Sequence, residues 1–334
     1  MIVRVAAALM LCAMLTAAQT ASVIIDTDCG RDDLMAIAFL SARRDVRIEA
    51  VTVANGLAHV QAGAANILRL LALGGQGDVP VYVGRETPLH GNASFPDPWR
   101  QNSDALIPGS AAHHKPQAQP AADYLVNRLR DHGRPVRILA LGPLTNFGEA
   151  LAHEPGLLHG VEMIIMGGAI RVPGNLGEGG FFKTDNRTAE WNLFVDPLAA
   201  QQVFASGARI RLVPLDATDR VPIDAAFLRE LRSRPHTPLG DFVAGMLAQE
   251  CSFEDGATCY AWDALAAVAL LDPSVVPWTR LAIEVRQSPP EEGRTAESAG
   301  QKPNAQVALG ADAATFRRVY LAAFTPAGSA AAGP

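Results

Sequence analysis

Short, unbroken apolar runs alternate along the chain with segments whose apolar positions recur every three to four residues. Ser22–Asp26 (SVIID) is the first run, and Asp32–Arg43 follows it at helical spacing. Val46–Val53 reads as a strand, Val60–Leu73 as a helix stopped by Gly74-Gly75, and Val79–Val83 as a strand. After a long polar stretch come a helix at Ala121–Arg130, a strand at Val136–Leu141, a helix at Leu144–Ala152 and a strand at Val161–Met166. Pro197–Ala205 is then helical and Arg209–Val213 extended. Continuous apolar strands separated by helices predict an α/β fold, with a mainly parallel central sheet covered by helices on both faces. From about residue 220 to Leu271 the pattern turns mainly helical. Gln287–Asn304, rich in Pro, Glu and Ser, reads as a surface excursion, and Thr325–Pro334 as a low-complexity tail. With no repeat and no clean linker, a single domain over 22–324 is expected.

The N-terminus departs from this alternation. Met1–Thr20 carries one early cation, Arg4, then the apolar run Val5–Leu15, then small residues around Thr16-Ala17-Ala18. That is the layout of a secretory signal peptide over residues 1–18, and the protein is expected to be exported, periplasmic or secreted. A buried N-terminal helix is the alternative. No later segment has 18 unbroken apolar residues, so a soluble mature protein is expected. The bulky Leu11 before Cys12 makes a poor lipidation site. Export permits a disulfide between Cys251 and Cys259 across a short loop, and two buried free thiols fit the sequence as well.

Composition narrows the function. The 334 residues are 49% hydrophobic and 19% charged, enough for a sizeable core. The formal net charge of −6 argues against a nucleic-acid partner, which requires a basic face to displace counterions.

The chemistry gathers beyond the first strand, where parallel α/β folds bind ligands. Asp26-Thr27-Asp28-Cys29-Gly30-Arg31-Asp32-Asp33 holds four carboxylates in eight residues. An Asp suits an N-cap or a first helical turn, which explains one or two of them. Four repel one another unless a cation or a hydrogen-bonded ligand sits among them. Hard oxygen ligands without a nearby His or Cys point to Ca²⁺ or Mg²⁺ rather than zinc.

Several separated motifs then share one likeness. Asp28-Cys29-Gly30-Arg31-Asp32-Asp33, Leu141-Gly142-Pro143-Leu144-Thr145-Asn146, Met166-Gly167-Gly168 with Gly174-Asn175, Glu190-Trp191-Asn192 and Asp196-Pro197, and Trp262-Asp263-Ala264-Leu265-Ala266 resemble, in order, motifs of the inosine–uridine-preferring nucleoside hydrolases. The resemblance spans roughly Val23 to Leu271. It implies a Rossmann-like core, hydrolysis of the N-glycosidic bond of a small-molecule ribonucleoside, and often a homo-oligomer, dimer or tetramer. It also implies a calcium ion held by Asp28, Asp33, Asp263 and the main-chain carbonyl of Thr145, completed by two ribose hydroxyls and a water that Asp28 deprotonates. Asp32 and Asp263 would accept from the ribose hydroxyls, Asn192 would bind the 3′ side, and Glu190 and Asn175 the 5′-hydroxyl, with Met166 beside them. Read alone, Thr145, Asn146 and Asp263 fit helix caps, and Asn175, Glu190 and Asn192 fit a polar loop.

Two departures from the family pattern stand out. Val53-Ala54-Asn55-Gly56 reverses a common Gly-Asn; Asn55 reaches the ribose or simply makes a turn. Many members carry a His, placed to protonate the departing base, where this chain has Trp262. None of the eight histidines lies within twenty residues of Asp263. Trp99, in the loop after the third strand, is a second indole. Two such tryptophans resemble the purine-preferring branch, in which they sandwich the base and raise its basicity; core packing is the ordinary fate of an indole. Two other readings remain: a haloacid-dehalogenase-type phosphatase with Asp26 as nucleophile, for which Gly30 and the scarcity of lysine are poor matches, and a non-catalytic exported nucleoside-binding protein.

Overall fold

The computed structural model describes residues 21–109, 114–130, 135–177, 180, 182–251 and 259–325. Residues 1–18, read as a signal peptide, and all of the tail except Thr325 lie outside them. The first half builds β1 (Ala21–Thr27), α1 (Arg31–Ser41), β2 (Val46–Val53), α2 (Val60–Leu73), β3 (Val81–Val83), α3 (Asp97–Asp104), α4 (Ala121–Leu129), β4 (Arg137–Ala140), α5 (Thr145–His153) and β5 (Glu162–Met166). The second half adds α6 (Trp191–Val195), α7 (Pro197–Ala205), β6 (Arg209–Val213), α8 (Leu215–Thr218), β7 (Pro222–Ile223), α9 (Ala225–Arg232), α10 (Pro238–Glu250), β8 (Cys259–Tyr260), α11 (Trp262–Leu271), β9 (Trp278–Leu281), β10 (Ile283–Val285), β11 (Thr295–Glu297), β12 (Ala305–Ala308) and α12 (Ala313–Ala322).

The central sheet has the order β3-β2-β1-β4-β5-β6-β12-β9, and every pairing is parallel except that of the edge strand β9. The side-chain alternation of β1 splits the core in two. Val23 and Ile25 join the layer of α1, α2, α10, α11 and α12, while Ile24 faces α4, α5 and α7. Covering both faces is what makes the strands read as continuous apolar runs.

Residues 220–271 are mainly helical as expected, and beyond them β12 returns to the sheet between β6 and β9. Two expectations are corrected. Gln287–Asn304 is not merely a surface excursion, because Thr295 is buried and its hydroxyl both accepts from Ala169 N (2.9 Å) and donates to Ala169 O (3.1 Å). The stretch therefore braces the turn after β5. The polar stretch after β3, read as loop, contains α3.

Cys251 and Cys259 form a disulfide with Cα atoms 6.1 Å apart, tying the end of α10 to β8, which leads directly into α11. Replacing both cysteines with alanine is expected to lower stability to denaturant by about 2–3 kcal/mol, the loop-closure value for a ring this small. Equilibrium unfolding with and without reductant checks this: reductant should destabilise the wild type and leave the double variant unchanged.

Candidate active site

The carboxyl ends of β1, β4 and β5 converge with the N-termini of α1 and α11 on one end of the sheet. Two helix N-termini aimed at one point favour anions there. Alternation along β1 sorts its polar residues. Thr27 faces α1 and its hydroxyl donates to Asp33 Oδ1, while the Gly30 amide donates to Asp33 Oδ2 (2.8 Å). Cys29 holds a left-handed backbone conformation (φ 62°), uncommon for a residue with a side chain and costing on the order of 1 kcal/mol. This kink turns the chain between Asp28 and α1.

Asp28 is buried, and its Oδ2 accepts from the Leu57 amide (2.9 Å). Two glycines let the chain crowd it. A Cβ on Gly56 would fall 2.0 Å from Asp28 Oδ2, and one on Gly142 would fall 2.8 Å from Asp28 Cβ. The Asn55-Gly56 order thus has a steric reason. Asn55 itself is buried, is not among the residues lining the cavity below, and its Oδ1 meets no described hydrogen-bond partner.

Ligand oxygens of Asp32, Asp33 and Asp263 lie within 4.8 Å of one another. Burial, reinforced by the Asp33 charge, raises the pKa of Asp28 and of Asp263 well above the ordinary carboxylate range. The same two causes bring Asp32 to about 6. Asp263 Oδ1 is buried and meets no described hydrogen-bond partner. Buried carboxylates in contact, one oxygen unpartnered, fit a hard divalent cation. Asp32, Asp33 and Asp263, with Asp28 beside them in the cavity lining, would hold such an ion. Thr145 opens α5, and its hydroxyl donates to Asp196 Oδ2 (2.8 Å); it does not line the cavity.

A cavity of about 540 Å³ opens over this cluster, a size suited to a nucleoside. Asp28, Asp32, Asp33, Trp99, Met166, Asn175, Glu190, Asn192, Trp262 and Asp263 all line it. Glu190 caps α6, accepting from Asn192 N (2.9 Å), Leu193 N (3.4 Å) and Gly168 N (2.9 Å), and burial pushes its pKa to about 7. Asn192 Nδ2 donates to Leu141 O (2.8 Å) and Met166 O (3.3 Å), joining the ends of β4 and β5. Asn175 Oδ1 accepts from Trp191 N (3.2 Å).

Trp99 does not lie in a loop; it sits in the first turn of α3. Asp97 and Pro98 at the start of this helix are a helix-start signal that the lack of apolar periodicity hid. The helix is pinned to α2 by Asp104, which accepts from His59 N (2.8 Å) and meets His59 Nδ1 (2.8 Å), and to the end of β3 by Arg100 and Glu86 (2.5 Å). Sequence reasoning also missed an aromatic wall of Phe95 stacked on Trp191 (centroids 4.7 Å), with Trp99 edge-on to Trp191 (5.7 Å), and it missed Arg31 at the cavity.

Asp26 faces the opposite side of the sheet. Its Oδ1 accepts from Thr52 and from Asn146 Nδ2 (2.7 Å), and burial raises its pKa to about 7. Buried, committed to these partners and absent from the cavity lining, it is unsuited to act as a phosphatase nucleophile.

The raised carboxyl pKa values set the stability against pH. Without a cation, Asp32 and Glu190 hold protons in the folded state up to about 6 and 7, against 3.8 and 4.5 ordinarily. Their contribution is full below pH 4 and is lost as pH rises through 6 to 7. In chelator, the thermal midpoint is therefore expected to fall between pH 5 and 7.5, and excess Ca²⁺ should raise it more at pH 7.5 than at pH 5. Calorimetric scans at both pH values check this.

Comparison with known proteins agrees with this geometry. Residues 23–318 match the model of the inosine-uridine preferring nucleoside hydrolase family. The chain is 32% identical over 234 residues to the pyrimidine-specific ribonucleoside hydrolase RihA of Enterobacter sp. (strain 638), covering 69% of this chain and 70% of that one. The structure of the plant nucleoside hydrolase PpNRh1 superposes with a TM-score of 0.80 at 27% identity, over 92% of this chain and 99% of that one. The purine-preferring ribonucleoside hydrolase from Gardnerella vaginalis shares the fold, with a TM-score of 0.77 at 23% identity over 91% and 98%. The chain belongs to the inosine–uridine-preferring nucleoside hydrolase family and is a ribonucleoside hydrolase.

Proposed function

We propose that the protein cleaves purine ribonucleosides to free base and ribose, with Ca²⁺ as its ion. The observation that carries this reading is the carboxylate cluster of Asp32, Asp33 and Asp263, with Asp28 beside it in the lining of a cavity that has Trp99 and Trp262 in its wall. When bound, the cation binds ribose hydroxyls and makes a water more acidic. Asp28, beneath the cavity, accepts that water's proton. Asp32 and Asp263 accept hydrogen bonds from the 2′- and 3′-hydroxyls. Asn192 lines the cavity, and with its Nδ2 spent on Leu141 and Met166 its amide oxygen is the atom it would offer the 3′-hydroxyl. Glu190 and Asn175 line the 5′ end. As the bond from the anomeric carbon to the base nitrogen breaks through an oxocarbenium-like state, its electron pair leaves with the base and the water oxygen bonds to the carbon. The base then takes a proton from solvent.

Trp99 and Trp262 favour a purine, since stacking is worth ~1–3 kcal/mol per base and a purine offers more face than a pyrimidine. The Enterobacter relative is named for pyrimidine nucleosides, so the base preference is tested directly. Export belongs to the same reading, and the Cys251–Cys259 disulfide suits an oxidising compartment.

Ribose release from inosine, adenosine, guanosine, uridine and cytidine is expected to be fastest with a purine. A wild type that prefers uridine would remove the stacking argument, and one that binds nucleosides without releasing ribose would make it a binding protein. Asp28→Asn should lower kcat by about 10³-fold or more. 2′-Deoxyinosine should be a poor substrate, because the polar groups that meet the 2′-hydroxyl would be left unpaired. Equal rates on inosine and 2′-deoxyinosine would overturn the ribose contacts.

A further inference from the structure

Arg31 is the first residue of α1, set between Gly30 and Asp32. It is half-buried and lines the cavity. Its guanidinium carbon lies 5.9 Å from the centre of the Trp262 ring. Among the described residues no hydrogen bond or ion pair involves this guanidinium; Asp32, its neighbour in the chain, feels its charge without pairing with it. A guanidinium carries five donors in a rigid planar fork and stays protonated in proteins. Here that fork stands unspent beside the indole proposed to carry the base.

We infer that Arg31 reads and stabilises the departing base, donating to the 6-oxo oxygen and N7 of a 6-oxopurine such as the hypoxanthine of inosine or the guanine of guanosine. This rests on the hydrolase reading above and adds to it a residue and a substrate class. A base stacked on Trp262 lies ~3.5–4 Å from the indole. The guanidinium lies over the Trp262 ring with its carbon 5.9 Å from the ring centre, farther than a stacked base, so a base lying off-centre on the indole would present its edge to the fork. O6 and N7 are adjacent acceptors, and an arginine fork spans both. Adenine offers N7 beside an amino donor, which opposes the fork, and a pyrimidine has no N7.

The contact strengthens as the bond breaks. The electron pair that leaves with the base spreads onto O6 and N7, so the fixed cation gains most in the transition state. Arg31 cannot itself give up a proton at neutral pH. A fixed positive charge at this edge also disfavours protonating N7 before cleavage. The base therefore departs as an anion balanced by Arg31, and solvent protonates it afterwards. This supplies leaving-group help where Trp262 stands in place of a histidine acid.

The test compares kcat/KM for inosine, guanosine, adenosine and p-nitrophenyl β-D-ribofuranoside, using the full-length, Ca²⁺-loaded wild type and Arg31→Met. The p-nitrophenolate group leaves readily without a base contact. Wild type is expected to favour inosine and guanosine over adenosine. In Arg31→Met the loss on inosine should exceed the losses on adenosine and on the nitrophenyl riboside by about 10- to 100-fold. An unchanged inosine-to-adenosine ratio would overturn the inference, as would an equal loss on every substrate, which is the signature of a merely structural arginine. If Arg31→Met does not fold, Arg31→Gln is judged by the same ratio. A wild type that cleaves adenosine as fast as inosine overturns this inference alone. A wild type that cleaves no nucleoside overturns the hydrolase reading, and this inference with it.

Discussion

The repulsion among Asp28, Asp32, Asp33 and Asp263 is the constraint on which the rest of the molecule depends. Left to themselves, carboxylates out of water take up protons or drift apart. Here they are held together by elements that cannot yield. Asp33 is fixed by Thr27 and the Gly30 amide, Asp28 by the Leu57 amide and by two glycines that leave no room for a side chain. Asp263 arrives on α11, which packs along α1. The local backbone strain at Cys29 and the Asp263 oxygen that has no partner among the described residues are the marks of a site built for a ligand rather than for stability.

The sheet turns this cluster into a directional site. Parallel strands send all their carboxyl ends to one edge, so segments distant in the chain meet there without long loops. Asn192 welds the ends of β4 and β5, Glu190 draws the Gly168 turn onto α6, and Thr295 braces the same turn from behind. Above them stands an apolar wall, so one end of the cavity is charged and polar and the other aromatic. A ribonucleoside has the same two-ended character.

Much of this was legible in the sequence because the signals were strong and local. Val46–Val53, Val60–Leu73, Pro197–Ala205 and Arg209–Val213 fold with the bounds their apolar pattern implies. The acidic run and the Trp262-Asp263 pair announced the cavity floor. Other parts were illegible for physical reasons. The helix α3 (DPWRQNSD) has one large apolar residue, so no helical period can show, and its fold comes from the contacts of Asp104 and Arg100 with α2 and the end of β3. The short strands β9 to β12 owe their existence to pairing partners elsewhere in the chain, which a local pattern cannot reveal. Arg31 hid among four aspartates, where a cation reads as a neutral counter-charge; only its place over Trp262 separates it from them.

Calcium binding to the chelator-stripped protein tests the account at its centre. Titration calorimetry at pH 7 should give one ion per chain for the wild type. It should give none for Asp33→Asn, in which circular dichroism should show the fold intact. No binding by the wild type, or undiminished binding by a folded Asp33→Asn protein, would contradict the claim that these carboxylates are held together for a cation.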